Sequence, residues 1–283
     1  MKLLASHESP IQLFEESLKY NDYQYCLVHL MEENQEYCDW FMNVNKRFGA
    51  DVLLDNSIFE LGTSFDPEKY GYWLQKIKPN YYIVPDVLED VQGTMMQWQK
   101  WKEPPGCNAL KIGVVQGKTW QELVDCYRFM AEEADYVAIS FDYSYYEYTG
   151  SGRNKLELWC SGRQRFIQDL IDRGYWNWSK PHHLLGCSLA KEFGYYISKR
   201  IDNIRSCDTS NPVVAALHGL RYNGDLGLRE KPRTMLCDLI NAEIDEDTLE
   251  LTKYNTKMFK HILNRYEDEI YTSYLRFCFD NNT

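Results

Sequence analysis

The sequence predicts an α/β fold, a single (β/α)8 TIM-like barrel with extra C-terminal helices, and three observations predict it. Short apolar runs alternate with helix-period segments seven times in succession, and strands joined by helical crossovers make a parallel sheet. The chain has 283 residues, near the ~250 that a closed α/β barrel uses. Most of the apolar runs end in a carboxylate, an amide or a glycine, and the C-terminal ends of barrel strands are where functional groups gather.

Taken in order, Gln24 to Met31 (QYCLVHLM) reads as the first strand and Ala50 to Asn56 (ADVLLDN) as the second. Between them, NQEYCDWFMNVNKRFG has helical spacing and a terminal Gly that stops the helix. DPEKYGYWLQKIKP opens with Asp then Pro, a capped helix start. Tyr81 to Asp86 is the third strand, with EDVQGTMMQWQKW as its helix, and Ala109 to Gly117 is the fourth, followed by a helix that Thr119 caps. Tyr136 to Asp142, His182 to Ser188 and Asn203 to Asp208 are the fifth, sixth and seventh strands, with RQRFIQDLIDRGY and LAKEFGYYISKRI as helices between them. SNPVVAALHGL holds either the eighth strand or a helix, and the C-terminal part from Asp245 is amphipathic helix. No linker, low-complexity segment or internal repeat interrupts the chain, so residues 1–283 read as one domain.

Composition narrows the function. Hydrophobic residues at 44% and charged residues at 26% are an ordinary globular balance. A net charge of −11 argues against broad coating of a polyanion and leaves room for a local basic patch. Aromatics reach 15%, enough for either a wet aromatic groove or half-buried packing. Nine scattered cysteines, odd in number and without CxxC spacing, read as reduced thiols of an intracellular, cytoplasmic protein. His182 and His183 could offer metal ligands, but neighbours on a strand point to opposite faces, so no metal site is expected. No apolar run approaches ~20 residues, so neither a signal peptide nor a membrane span is expected.

The strand ends carry Asp55, Asp86, Gln116 with Gly117, Asp142, Gly186 and Asp208. In a barrel these face one mouth. Neighbouring carboxylates can split their proton affinities, one serving as acid and another as nucleophile, and such a pair can cleave a glycosidic bond by double displacement. Asp and Gln also match the polar edge of a purine, a carboxylate accepting from N–H groups and an amide donating to a carbonyl.

The same motifs, in the same order, resemble the tRNA-guanine transglycosylase superfamily over roughly Asp51 to Pro212. LLDNSIFELG is similar to the family's DSGGFQ segment and implies acid/base work for Asp55. VPDVLED implies that Asp86 holds the guanine edge, and IGVVQG that Gln116, beside Gly117, reads the base. LLGCSLAKEFG resembles LGGLAVGE, which puts Gly186 against the base, and SCDTSNP stands in the place of the nucleophilic Asp, implying that role for Asp208. The chain departs from the family at Asn56, Ser57 and Ile58, where small residues are usual, and in lacking the C-terminal zinc motif. No metal or other cofactor is implied. The closest resemblance is to the compact DNA 7-deazaguanine transglycosylases. The expected partners are therefore DNA, alternatively tRNA, and a free 7-deazaguanine base such as preQ0 or a derivative, with no membrane.

Two loops suit a nucleic acid. YSYYEYTGSGRNK brings Tyr rings with Arg153 and Lys155, and LHGLRYNGDLGLREKPR brings Arg221, Arg229, Lys231 and Arg233. Both also read as solvated loops. Three other functions fit the same residues: exchange in a tRNA anticodon loop, a nucleoside or free-base enzyme, and a non-catalytic barrel that binds nucleic acid or a protein.

Overall fold

The computed structural model describes residues 3–187, 189–222, 232 and 234–280, with side chains described up to residue 263. Eight strands form one sheet: β1 (Leu4–His7), β2 (Gln24–Leu27), β3 (Val52–Asp55), β4 (Tyr81–Ile83), β5 (Leu110–Val115), β6 (Tyr136–Ile139), β7 (His182–Leu184) and β8 (Ile204–Thr209). They run in the order β1-β8-β7-β6-β5-β4-β3-β2, each pair parallel, and make a nearly closed (β/α)8 barrel. At the seam between β1 and β2, the turn residue Asp22 stands in for a ladder. Its N–H donates to the Ala5 carbonyl at 2.9 Å, and its Oδ2 accepts from the Ala5 N–H at 3.0 Å.

The helices are α1 (Phe14–Tyr20), α2 (Leu30–Glu33), α3 (Gln35–Phe48), α4 (Ile58–Leu61), α5 (Pro67–Ile77), α6 (Val91–Lys100), α7 (Trp120–Glu133), α8 (Ser144–Thr149), α9 (Lys155–Asp172), α10 (Glu192–Ser198), α11 (Asn211–Leu217) and α12 (Glu246–Asp280). Their starts follow the side-chain chemistry. Asn34 caps α3 by accepting from the Tyr37 N–H, and the left-handed Gly49 ends it. Asp66 caps α5 ahead of Pro67, and Thr119 with Glu122 closes a capping box on α7.

Three readings of the sequence change. The strand missing from the seven-fold alternation is β1, at the N-terminus, while SNPVVAALHGL forms α11. The Tyr-rich segment after β6, read as a loop, contains the short helix α8. The helix read from Arg163 begins at Lys155, because Asn154 caps it by accepting from the Glu157 N–H. Between sheet and helices lies a core that includes Val115, Leu123, Tyr127, Phe166, Leu170 and Phe193, each fully buried side chain contributing ~1.5–3 kcal/mol. Among the described residues no helix is long and apolar enough to cross a membrane.

Candidate active site

One pocket opens at the C-terminal ends of the strands, with about 940 Å³ of open space including its mouth. Tyr25, Leu27, Ile83, Val114 and Leu185 give it apolar walls. Into it the strand ends deliver Asp55, Asp86, Gln116, Asp142, Gly186 and Asp208, all anticipated from the sequence, together with Glu8 and Glu60.

Asp55 ends β3 and is 7% exposed. Ser57, held in the left-handed region at φ +58°, turns its N–H back to donate to Asp55 Oδ2 at 2.9 Å. Burial holds the Asp55 carboxyl well above the usual carboxylate range, and nearby Glu60, Asp86 and Asp208 push the same way against the Ser57 hydrogen bond. Burial and the neighbouring carboxylates thus favour its protonated form.

Asp86 follows β4 and is 2% exposed. Its Oδ1 accepts from Asn56 Nδ2 at 2.7 Å and its Oδ2 from Gln116 Nε2 at 2.6 Å. Gln116 is itself oriented, because its Oε1 accepts from the Glu89 N–H at 2.8 Å. Burial pushes the Asp86 carboxyl up to about 6, with the Asn56 and Gln116 hydrogen bonds pulling the other way. The two base-reading residues expected from the sequence thus grip each other, with Asn56 completing the triplet. Both residues line the pocket, and Gln116 keeps one N–H for a ligand. Asn56, a departure from the resembled motif, is the residue that the sequence did not identify as part of this set.

Asp208 sits on β8 and is 5% exposed. The Gly186 N–H lies 3.1 Å from each of its oxygens, and His183 Nε2 is 3.0 Å from Oδ1. Gly186 is held at φ +60°, and a Cβ there would stand 2.4 Å from Phe141 Cδ1, so this position needs a glycine on both counts. Behind it, the fully buried Arg163 of α9 donates to the carbonyls of Ile139, Leu185 and Gly186 at 3.2, 2.8 and 3.0 Å, and its guanidinium is paired with Glu192 at 2.7 Å. The sequence reading missed both His183 and Arg163.

The histidine pair divides as strand alternation requires. His182 faces the helix layer, stacked on Trp176 with ring centroids 3.8 Å apart and 3.0 Å from the Tyr127 hydroxyl. Burial pushes it down to about 3. His183 faces into the barrel. Asp142 accepts from the Ser140 hydroxyl at 2.9 Å, and burial raises its carboxyl above the usual range.

The remaining expected residues lie elsewhere. Gly117 does not line the pocket; it packs on the start of α7, where a Cβ would be 2.8 Å from that of Glu122. Arg153 and Lys155 are exposed at the start of α9. Lys155 pairs with Glu147 at 2.8 Å and lies over the Trp159 ring, and the Arg153 N–H donates to Glu157. The backbone at Gly150 and Gly152 lies tight against α9, where Cβ atoms would meet Leu158 and Glu157, while Tyr148, Ser151 and Arg153 are exposed. Arg221 stacks on Tyr254 of α12, 3.6 Å from the ring centroid, and does not line the pocket. Arg229, Lys231 and Arg233 lie outside the described residues.

No protein-family model and no curated protein matches the chain. Among solved structures, it is similar to monomers of the dimeric phosphoribosylanthranilate isomerase of Thermotoga maritima, with 10% identity and a TM-score of 0.44 over 91% of this chain and 99% of that one. It is likewise similar to N-(5'-phosphoribosyl)anthranilate isomerase from Pyrococcus furiosus, with 12% identity and a TM-score of 0.43 over 92% of this chain and 99% of that one.

Proposed function

We propose that the protein is an enzyme, a base-exchange transglycosylase that replaces guanine in DNA with a 7-deazaguanine derivative. The observation that carries the proposal is a pair of carboxyl groups in one pocket with opposed surroundings. Burial and like charges favour the protonated form of Asp55, whereas Asp208 accepts from the Gly186 N–H and lies against His183 Nε2. A proton donor and a carboxylate facing one site are what double displacement at a glycosidic carbon requires.

Asp208 attacks C1′ of the sugar, and an O–C1′ bond forms as the C1′–N bond breaks. The electron pair stays with the departing base, which takes the Asp55 proton. The incoming base returns its N–H proton to Asp55 while its nitrogen attacks C1′, and the ester bond's pair goes back to the Asp208 carboxylate. The Asp86 carboxyl and the remaining N–H of Gln116 read the base edge. Exchange rather than hydrolysis requires that water be kept from the ester, and the burial of all three aspartates supports this. A base within a duplex has to flip out to enter, at a cost of a few kcal/mol.

A second reading, a nucleoside or free-base enzyme, is favoured by the pocket's charge. Its charged lining is acidic, and none of the described arginines or lysines lines it. Mass spectrometry of nucleosides from the DNA and the tRNA of cells expressing the protein separates the two. A deazapurine nucleoside in DNA supports the proposal. One in tRNA alone moves the substrate to RNA, and none in either polymer favours the free-nucleoside enzyme.

A further inference from the structure

We infer that His183 is a positioning residue that anchors Asp208 through Oδ1 and leaves Oδ2 as the oxygen that bonds to the sugar. This rests on the exchange reading above.

The inference begins with the backbone. β7 and β8 are in regular parallel register except at one place: His182 faces Ile204, but His183 faces Ser206, so Arg205 is bulged out of the ladder. Bulges re-aim side chains. Here the bulge sets Ser206 beside His183, and Asp208, two residues on, falls on the same face of β8 as Ser206. The three side chains then form a chain in the barrel interior. Ser206 Oγ is 2.8 Å from His183 Nδ1, and His183 Nε2 is 3.0 Å from Asp208 Oδ1. His183 is 0% exposed, with the Tyr23 ring edge-on at 6.4 Å, and the Tyr23 hydroxyl donates to the Cys207 carbonyl at 2.7 Å. Ring and strand are thereby fixed on both sides of the contact.

The chemistry sets the tautomer. Asp208 as a carboxylate only accepts, so the nitrogen facing it has to carry hydrogen, and the Ser206 hydroxyl is free to rotate and donate to Nδ1. A buried ring in the opposite tautomer would turn a lone pair toward the carboxylate in a setting of low dielectric. With Nε2–H on Oδ1 and the Gly186 N–H shared between both oxygens, Oδ2 is the less encumbered atom and the one that forms the bond. As the ester forms, charge leaves the carboxyl. As it breaks, the bond's pair returns to Oδ2 and the charge is shared again with Oδ1, where the Nε2–H already waits. His183 donates a hydrogen bond throughout and transfers no proton.

Two measurements test this. The first is the 15N NMR spectrum of the ring-labelled protein, which should show His183 with hydrogen on Nε2 and a bare Nδ1. Hydrogen on Nδ1 alone overturns the inference, whatever the reaction proves to be. The second uses a guanine-containing DNA oligonucleotide and a base analogue that stalls the second step. His183→Phe should form the covalent adduct about 100-fold more slowly, the scale of misplacing a reacting atom by about 1 Å, with unchanged oligonucleotide binding. His183→Gln, whose side-chain amide can donate from nearly the same place, should recover to within about tenfold. An adduct formed by His183→Phe at the wild-type rate overturns the inference. So does a His183→Gln variant no faster than His183→Phe when both melt like wild type. Absence of an adduct in wild type counts instead against the exchange reading, and the tautomer then decides the geometry alone.

Discussion

Arg163→Met removes a charged group that the fold cannot easily do without. Arg163 is fully buried on α9, pairs with both oxygens of Glu192 at 2.7 Å, and donates to three strand-end carbonyls. Truncation leaves Glu192 buried with the Tyr196 hydroxyl at 2.6 Å as its remaining side-chain donor. Breaking a buried pair by removing one partner costs about 3–5 kcal/mol, and each carbonyl left without a donor adds about 1 kcal/mol. Against a total stability of roughly 5–15 kcal/mol, the single variant should lose a large part of its urea midpoint. Glu192→Gln should cost about as much, since it strands the guanidinium instead. The double variant Arg163→Met/Glu192→Gln should recover at least about 2 kcal/mol relative to the sum of the singles, because residues in one network couple by that order. Equilibrium urea unfolding of the four proteins gives the cycle. A loss below about 1 kcal/mol for Arg163→Met, or singles that simply add, would refute the claim that this pair braces the pocket.

Two other outcomes follow from the site. The Asp86 carboxyl is raised to about 6 in the folded protein, against ~3.9 when unfolded. The native state therefore binds this proton more tightly, and its contribution is full below about pH 4 and lost as pH rises through about 6; it amounts to a few kcal/mol. Stability measured from pH 4 to 7 should fall along this limb and flatten in Asp86→Asn, and an unchanged slope in the variant would assign the titration elsewhere. Gly186→Ala should lose more than the ~1–2 kcal/mol of left-handed strain, because its Cβ also meets Phe141. A melting temperature equal to wild type would show that the Gly186 turn is not constrained as described.

Much of this was legible in the sequence, for physical reasons that can be named. Helix α3 was visible from its spacing and the terminal Gly49, and α5 and α7 because Asp66 and Thr119 sit directly before helix-period apolar residues and cap them. Asp55, Asp86, Gln116, Gly186 and Asp208 were visible as a set because parallel strands share one polarity, so their ends converge on a single pocket. β1 was hidden because LASH is four residues long with Ser6 and His7 at its end, too short and too polar to show a period. It becomes a strand through its pairing with β8, a tertiary contact between residues as far apart as Leu4 and Ser206. α8 was hidden because Tyr and Thr are weak helix formers, and packing on α9 decides the matter. Arg163 left a trace that went unread: it precedes Phe166, Ile167 and Leu170 by three, four and seven residues, which places it on the buried face of α9. His183 could be assigned to the face opposite His182, but its meeting with Asp208 depends on the bulge at Arg205, which no local pattern announces. The basic residues were read from the composition of two loops, which says nothing of what each side chain meets locally. Lys155 and Arg221 have local partners in Glu147 and Tyr254.

The most direct test of the central claim is denaturing electrophoresis of the protein after incubation with guanine-containing DNA and a base analogue that stalls the second step. Wild type should give a band of protein joined to DNA. Asp208→Asn, which keeps the shape and removes the nucleophilic charge, should bind the DNA and give no such band. Asp55→Asn should slow the band's appearance, through loss of the proton donor, without changing the site of attachment. If Asp208→Asn gives the same band as wild type, the assignment of Asp208 as nucleophile is contradicted.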